Sequence, residues 1–377
     1  MNSKNKIILA VVAVLAIAAI IALGIKNQMN HNSGDDENVI RLGAIMPLTG
    51  PLAFVGESSK EGLLLAVDIF NNSVNGKRIK VILEDGKGTV KDSISAYNNL
   101  MMQSPSILFC VASVTAKAVV TPSLDVLTIL STVSDSTIAE KNQNVFNITV
   151  NSQQELQAMC HFWESKSIKK VGLIYQKDEL GLEIKETIHE ICLQHGINII
   201  GEEEISTAES ILSATTRTKD TFPEAVFVGA TGSNAAMTVK RLVENNFKGI
   251  ICCLKGFNSP SVLKQAGEAA NGVYLCYTNY DMDDESQSNE LKQFRDLFLK
   301  KYNHVPDALA TDSFCVINLA LKKIDSAGFN FEEAKKLLLE TNNEPSVLGN
   351  LSCTSKRFFI FPIGVGIIRE GHINKVN

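Results

Sequence analysis

Tryptophan and histidine are scarce in this chain: one Trp and six His among 377 residues. The six His (His31, His161, His189, His195, His304 and His372) are scattered along the sequence, which leaves little material for a zinc centre. The eight Cys contain no C-x-x-C pair, and the spacings from Cys110 to Cys353 form no metal pattern. Neither a G-x-S-x-G elbow nor an H-E-x-x-H motif occurs. Basic excess is also lacking. Thirty-six Lys and Arg against 41 Asp and Glu leave a net charge of −5, which argues against a nucleic-acid partner. With 24 Gly, 9 Pro and 45% hydrophobic residues, the chain is neither collagen-like nor disordered. Its length suits two or three domains, each with its own core.

One long hydrophobic run is present. Residues 7–25 are all Ile, Leu, Val, Ala or Gly. As a helix this run spans about 28 Å, close to the ~30 Å hydrocarbon core of a bilayer. Lys4 and Lys6 precede it and no acid does, so the start is expected to stay inside and the rest to cross. Ala22-Leu23-Gly24 supplies small residues for a signal-peptide cut, while the unbroken length equally suits a retained signal anchor. Both readings remain open. The expectation is export, with residues 1–38 as signal or anchor plus linker. A lipoprotein anchor is excluded, because the first Cys is Cys110.

The body alternates strand and helix. Strands are expected over residues 39–46, 78–84, 106–111, 126–130 and 145–149, with helices at 58–71 and around 90–101 between the early ones. Several of these strands are almost wholly apolar, as parallel strands covered on both faces require. A second series follows residue 151: helix 153–165, strand 169–175, helix 181–195, strand 197–202, then strand 225–229, helix 234–245 and strands 249–254 and 272–277. Repeated βα units imply parallel sheets with right-handed crossovers. The tail changes rhythm, with helices at 288–302, 308–327 and 331–341 and strands at 357–361 and 364–369. That is the pattern of a chain crossing between lobes. Cys110, Cys160, Cys192, Cys276 and Cys315 sit in apolar periodic segments and read as small buried hydrophobes. Cys252 and Cys253, adjacent in a strand, point to opposite faces.

Enzyme signatures fail one by one. Gly86-Lys87-Gly88-Thr89 would need a Gly at Val81 to make a phosphate loop. Gly229-Ala230-Thr231-Gly232 follows a strand and opens a helix, but lacks the dinucleotide spacing. The acidic run 281–285 lacks the Gly turn and distal Glu of a calcium loop. His161 and His189 fall on helices and read as structural or solvated. No nucleophile–base pair can be assembled, so the chain is not expected to be an enzyme, and no cofactor is implied.

Laid end to end, these pieces resemble a known family. The stretch from Ile40 to Pro51 resembles the first strand and loop of the type I periplasmic binding proteins, above all the Leu/Ile/Val-binding (branched-chain amino acid) receptors of ABC importers. Gly56, Gly62, Ala66 and Asn71 continue the likeness, as does Asn75-Gly76-Lys77. Ala112-Ser113 resembles the family's ligand loop, and Ser131-Thr132-Val133-Ser134 its partner loop. Leu309-Ala310-Thr311-Asp312-Ser313 resembles the Y-D-A helix start, with Thr311 in place of the aromatic. The similarity runs from about residue 39 to residue 371.

The resemblance implies an α/β fold of two Rossmann-like lobes with parallel sheets, joined by a three-crossing hinge. Crossings are expected near Asn151, Tyr277 and Thr354. Lobe 1 would then comprise residues 39–151 and 278–354, and lobe 2 residues 152–277 and 355–377. Ligands of such sheets sit beyond the carboxyl ends of the strands. The implied ligand residues are Ser113, Thr132 and Ser134 for a polar head, with Val55, Leu180, Thr231 and Lys255 completing the pocket. Lys255 takes the place of the family's acid, and Val55, Leu180 and Thr231 the places of its aromatic walls. A cation there would disfavour an ammonium by about 4 kcal/mol at 4 Å and an effective dielectric of 20. If Lys255 faces the ligand, an acid or neutral amide is expected rather than a free α-amino acid; if it points to solvent, as exposed Lys commonly does, a small amino-acid-like ligand remains open. The implied partners are a small-molecule ligand, an ABC permease and ATPase, and the membrane through the N-terminal run. The implied location is the extracytoplasmic side of the cytoplasmic membrane. A membrane-tethered ligand sensor of the same fold is the alternative.

Overall fold

A computed structural model describes residues 38–121, 123–133, 135–278 and 288–376. The apolar run at 7–25, the acidic run at 281–285 and Ser134 lie outside them. Among the described residues no helix is long and apolar enough to cross a membrane.

The first series builds an eight-stranded sheet. Six of its strands, in chain order, are β1 (Val39–Met46), β2 (Ser73–Val74), β3 (Lys77–Asp85), β4 (Ile107–Val111), β5 (Leu127–Ser131) and β6 (Val145–Ile148); the chain's tail supplies the other two. Helices α1 (Ala53–Ile69), α2 (Val90–Met101) and α3 (Ser113–Val119) connect them. The second series supplies five strands of a seven-stranded sheet, β7 (Lys170–Gln176), β8 (Asn198–Ile205), β9 (Ala225–Gly229), β10 (Ile250–Cys253) and β11 (Tyr274–Tyr277), and the chain's tail the other two. Its helices are α4 (Ser152–Ser165), α5 (Glu179–Gln194), α6 (Ala208–Asp220), α7 (Gly232–Glu244) and α8 (Pro260–Ala266). Then come α9 (Asn289–Tyr302), α10 (Ala308–Ser326) and α11 (Phe331–Leu339), followed by β12 (Ser352–Cys353), β13 (Phe358–Ile360), β14 (Gly364–Arg369) and β15 (His372–Lys375).

The strand orders are β12-β13-β6-β5-β4-β1-β3-β2 and β15-β14-β11-β10-β9-β7-β8. Most strands pair in parallel; the antiparallel pairs are β2 with β3, β12 with β13, β14 with β11 and β15 with β14. Both faces of each sheet are covered, as the apolar strands require. Alternation along β4 sends Ile107, Phe109 and Val111 into one core, and Leu108 and Cys110 into the core on the other face. In the second sheet Cys253 joins one core and Cys252 the other, as their adjacency in a strand dictates. All eight cysteines are free thiols and seven are buried. Burial pushes the Cys252 thiol up to about 12.

Helices α1 and α10, both packed in the first core, meet each other with almost no gap. A Cβ at Gly62 would stand 2.1 Å from the Ala310 carbonyl oxygen, so only glycine permits this approach. Helix α9 also packs here, through Leu291, Phe294 and Phe298.

The last change of sheet differs from the expected one. Residues 355–377 were assigned to the second unit, with a crossing near Thr354. Instead β13 pairs in parallel with β6, Phe358 opposite Asn147 and Phe359 opposite Ile148. Phe359 is fully buried in the first core. The chain changes sheet between β13 and β14, whose Gly364 pairs with Tyr277.

Candidate ligand-binding cleft

Two neighbouring strands of the first sheet end in strained backbone. Val111 at the end of β4 lies opposite Ser131 at the end of β5. The next residues are Ala112, with φ 76° and ψ 145°, and Thr132, with φ 59°. The Ala112 N–H donates to the Ser131 carbonyl at 3.2 Å, tying the two loops together. Non-glycine residues held at such dihedrals cost about 1–3 kcal/mol each and collect at functional sites. The Thr132 hydroxyl is buried with no hydrogen-bond partner among the described residues. Ser113 follows Ala112 at the head of α3 and is half-buried.

The facing wall comes from the second sheet. After β7, Asp178 caps α5 by accepting from the Gly181 N–H at 2.8 Å. Gln176 holds this turn by donating to Asp178 at 2.6 Å, and its amide oxygen accepts the Thr231 N–H at 3.4 Å. A Cβ at Gly181 would stand 1.8 Å from the Gln176 carbonyl oxygen, so the first turn of α5 sits directly on the end of β7. Asn151 and Gln153 lie where the chain first crosses. Asn151 caps α4 in a reciprocal box with Gln154.

These elements enclose a cleft of about 730 Å³. Ser113, Lys117, Asp135 and Thr137 line it from the first unit, and Asp178, Leu180 and the α5 face through Glu183, Glu186 and Glu190 from the second. Its described walls therefore carry five carboxylates and one ammonium.

Of the residues expected to form the pocket, Ser113 and Leu180 line this cleft together. Val55 is 6% exposed and packs in the first core instead. Thr132 stands in the loop beside Ser113. Thr231 is exposed at the head of α7. Lys255, half-buried in the turn after β10, donates its N–H to the Glu155 carboxylate at 2.7 Å. Burial raises the Cys276 thiol; Glu155 raises it further and Lys255 opposes, so both charges act on one neighbourhood. Sequence reasoning passed over Glu155. Its signal was its place in the first turn of α4, four residues after the Asn151 cap and at the edge of the crossing.

Around the loop that precedes α1, Asp85 accepts from the Leu48 N–H at 2.9 Å, the Lys87 N–H at 2.8 Å and the Thr49 hydroxyl at 2.6 Å. Partial burial pushes this carboxyl up, but the donors from Thr49, Lys87 and Leu48 outweigh it, so its pKa lies below the ordinary value.

Known proteins share this architecture. A branched-chain amino acid transporter substrate binding protein of Streptococcus pneumoniae, solved with isoleucine, superposes with a TM-score of 0.74 at 22% identity, covering 89% of this chain and 97% of that one. A solute binding protein of an ABC transporter from R. palustris, solved with benzoate, gives 0.72 at 18% identity, covering 90% and 95%. In sequence, a Leu/Ile/Val-binding protein homolog of Brucella melitensis is 25% identical over 307 residues, 78% of this chain and 81% of that protein. The family model described as "periplasmic binding protein" matches residues 39–351. With so much of its length matched, this chain belongs to the periplasmic binding protein family, whose members are solute-binding receptors rather than enzymes.

Proposed function

We propose that this chain is the extracytoplasmic receptor of an ABC importer and that it takes a small solute with a carboxylate or amide head into the cleft between its two sheets. The observation that carries this reading is Ser113, which faces α5 across the cleft from the strained end of β4. Ser113 and Thr132 are the groups we assign to the polar head, with Ser134 completing the set. An unpartnered buried hydroxyl such as Thr132 Oγ1 costs about 1–3 kcal/mol until something bonds to it, and a ligand oxygen would do so. The isoleucine and benzoate of the two solved neighbours have a carboxylate in common. Leu180 and Thr231 would leave room in place of aromatic walls, while Val55 stays in the first core.

Lys255 is the residue we assign to ligand choice. With Glu155 beside it, that wall offers one charge of each sign. If Lys255 faces the ligand, an acid or an amide is preferred over a free α-amino acid. Closure of the two units over the ligand is a hinge motion in which ligand contacts shift the population.

A thermal-shift panel on the full chain, in detergent, tests the reading with leucine, isoleucine, benzoate and small amides. A solute at 100 times its Kd stabilises by about 2.7 kcal/mol. The expected result is a shift with acids or amides, lost in Ser113→Ala. Tight leucine binding that is unchanged in Lys255→Ala would remove Lys255 from the site and restore an ordinary amino-acid receptor. A reporter fused after Asn38 tests export: activity of a strictly cytoplasmic reporter there defeats it.

A further inference from the structure

We propose that the second unit carries a divalent transition-metal site where α4 and α5 end, formed by His161 and Glu164 of α4 and His195 at the carboxyl end of α5. His195 Nδ1 lies 2.9 Å from Glu164 Oε2, and His161 Nδ1 lies 3.5 Å from the same oxygen. One ligand atom from each residue falls within 4.8 Å of the other two. The imidazole rings stand edge to face, 89° apart in plane, with centroids 4.8 Å apart. The helices achieve this from residues 31 or more apart in sequence, which is why the histidines show no cluster there.

The donor set selects the class of ion. Two imidazole nitrogens and one carboxylate suit Zn²⁺, Cu²⁺ or Ni²⁺ better than Mg²⁺ or Ca²⁺, which prefer all-oxygen shells. Three protein ligands leave a fourth tetrahedral position for water. Bonds of about 2.0–2.2 Å require the donors to draw in around the ion. The side chains of His161 and Glu164, 69% and 40% exposed, are free to adjust, whereas that of His195, at 16%, is held.

The support is rigid and of the right sign. His161 and Glu164 are three residues apart on one helix face. The buried thiols of Cys160 and Cys192, 3.6 Å apart, fasten α4 to α5 beside the cluster. Both helices end here, α4 at Ser165 and α5 at Gln194 with His195 as its cap, and helix carboxyl ends favour a cation. Lys169, a neighbouring positive charge, has its Nζ donating to the His195 carbonyl at 3.4 Å rather than to a ligand atom. None of the three ligands lines the cleft, whose wall along α5 ends at Glu190, about 7.5 Å of helix before His195.

Calorimetric titration of the EDTA-stripped full chain, in detergent, with ZnCl₂ tests the site. One Zn²⁺ per chain is expected, with binding weakened in His161→Ala by more than the ~10–100-fold that loss of an outer partner alone costs. His161 is exposed, so this variant is expected to fold; His195→Asn should act in the same direction. His304→Ala, which breaks the separate pair between His304 and Glu61, should leave binding unchanged. Co²⁺ in place of Zn²⁺ should give visible d–d bands without thiolate charge transfer. Absence of binding, binding unaltered in His161→Ala, or a thiolate-type Co²⁺ spectrum would each overturn the proposal.

Discussion

Gly181→Ala is the most direct test of how the cleft wall is built. A Cβ there would stand 1.8 Å from the Gln176 carbonyl oxygen, against the 3.0 Å that real Cβ atoms keep, and it would also crowd the Gln176 backbone N. Both are main-chain atoms at the end of β7, so no flexible side chain can yield. The first turn of α5 must lift, and the bond from the Gly181 N–H to Asp178 must stretch. Overpacking of this kind costs about 1–3 kcal/mol. The gain in helix propensity from Gly to Ala is at most about 1 kcal/mol and does not cancel it. At about 2–4 °C per kcal/mol, the melting temperature should fall by roughly 2–12 °C. Ligand binding should weaken with it, because Leu180 and the acidic face of α5 move with that turn. Gly256→Ala is the matched control: no atom lies within 4 Å of a Cβ there, and the expected change is within about 0.5 kcal/mol. Differential scanning calorimetry of the two variants beside the wild type decides. If Gly181→Ala melts with Gly256→Ala, α5 does not rest on β7 as described.

Asp85 contributes stability that is present above the unfolded carboxyl value near 4 and lost as pH falls through its lower folded value; Asp85→Asn should flatten the acid limb of a melting-temperature profile between about pH 5 and 2, and an unchanged limb would remove Asp85 as its source. Thr207→Ala breaks the reciprocal cap between Thr207 and Ser210 at the head of α6 and should cost about 1 kcal/mol in urea denaturation, with no loss counting against that cap. Thiol labelling of the native chain near pH 8 should be slow at every cysteine and fastest at Cys353, the one that is not fully buried; rapid labelling of several would contradict the two-faced cores.

Much of this fold was legible because parallel strands buried on both faces announce themselves. The segment 225–229 was read as a strand, and it is one, since Val226 and Val228 fill one core and Ala225 and Phe227 the other. Helix α6 was missed for the opposite reason. Its buried face is Ile211, Ala214, Thr215 and Thr218, which shows little hydrophobic period. Thr215 survives there because its hydroxyl bonds back to the Ile211 carbonyl at 2.9 Å. Strand β15 offered a single buried residue, Ile373, and its partner is fixed by the turn at Glu370 and Gly371, both at positive φ. The last crossing was misplaced because a short apolar run such as 357–361 fits the edge of either sheet. Only pairing with β6 decides it.

The site divides along the same line. Ser113 and Leu180 were reachable because each follows directly from the end of a strand, where topology alone places ligand groups. Glu155 and the His161–Glu164–His195 cluster were not, because helices bring them into place. Their positions on α4 and α5 carry a further consequence. Both helices begin at the cleft, with Asn151 and Leu180 among its lining, and both end at the histidine cluster. An ion at that end would clamp the two helices while bonding to none of the residues that line the cleft. Such an ion can change solute affinity only by favouring one orientation of the two units, since a ligand indifferent to two states shifts neither. A metal that raises the melting temperature yet leaves solute affinity unchanged would show that α4 and α5 move as one rigid body when the cleft closes. A change in affinity would place the bending within them.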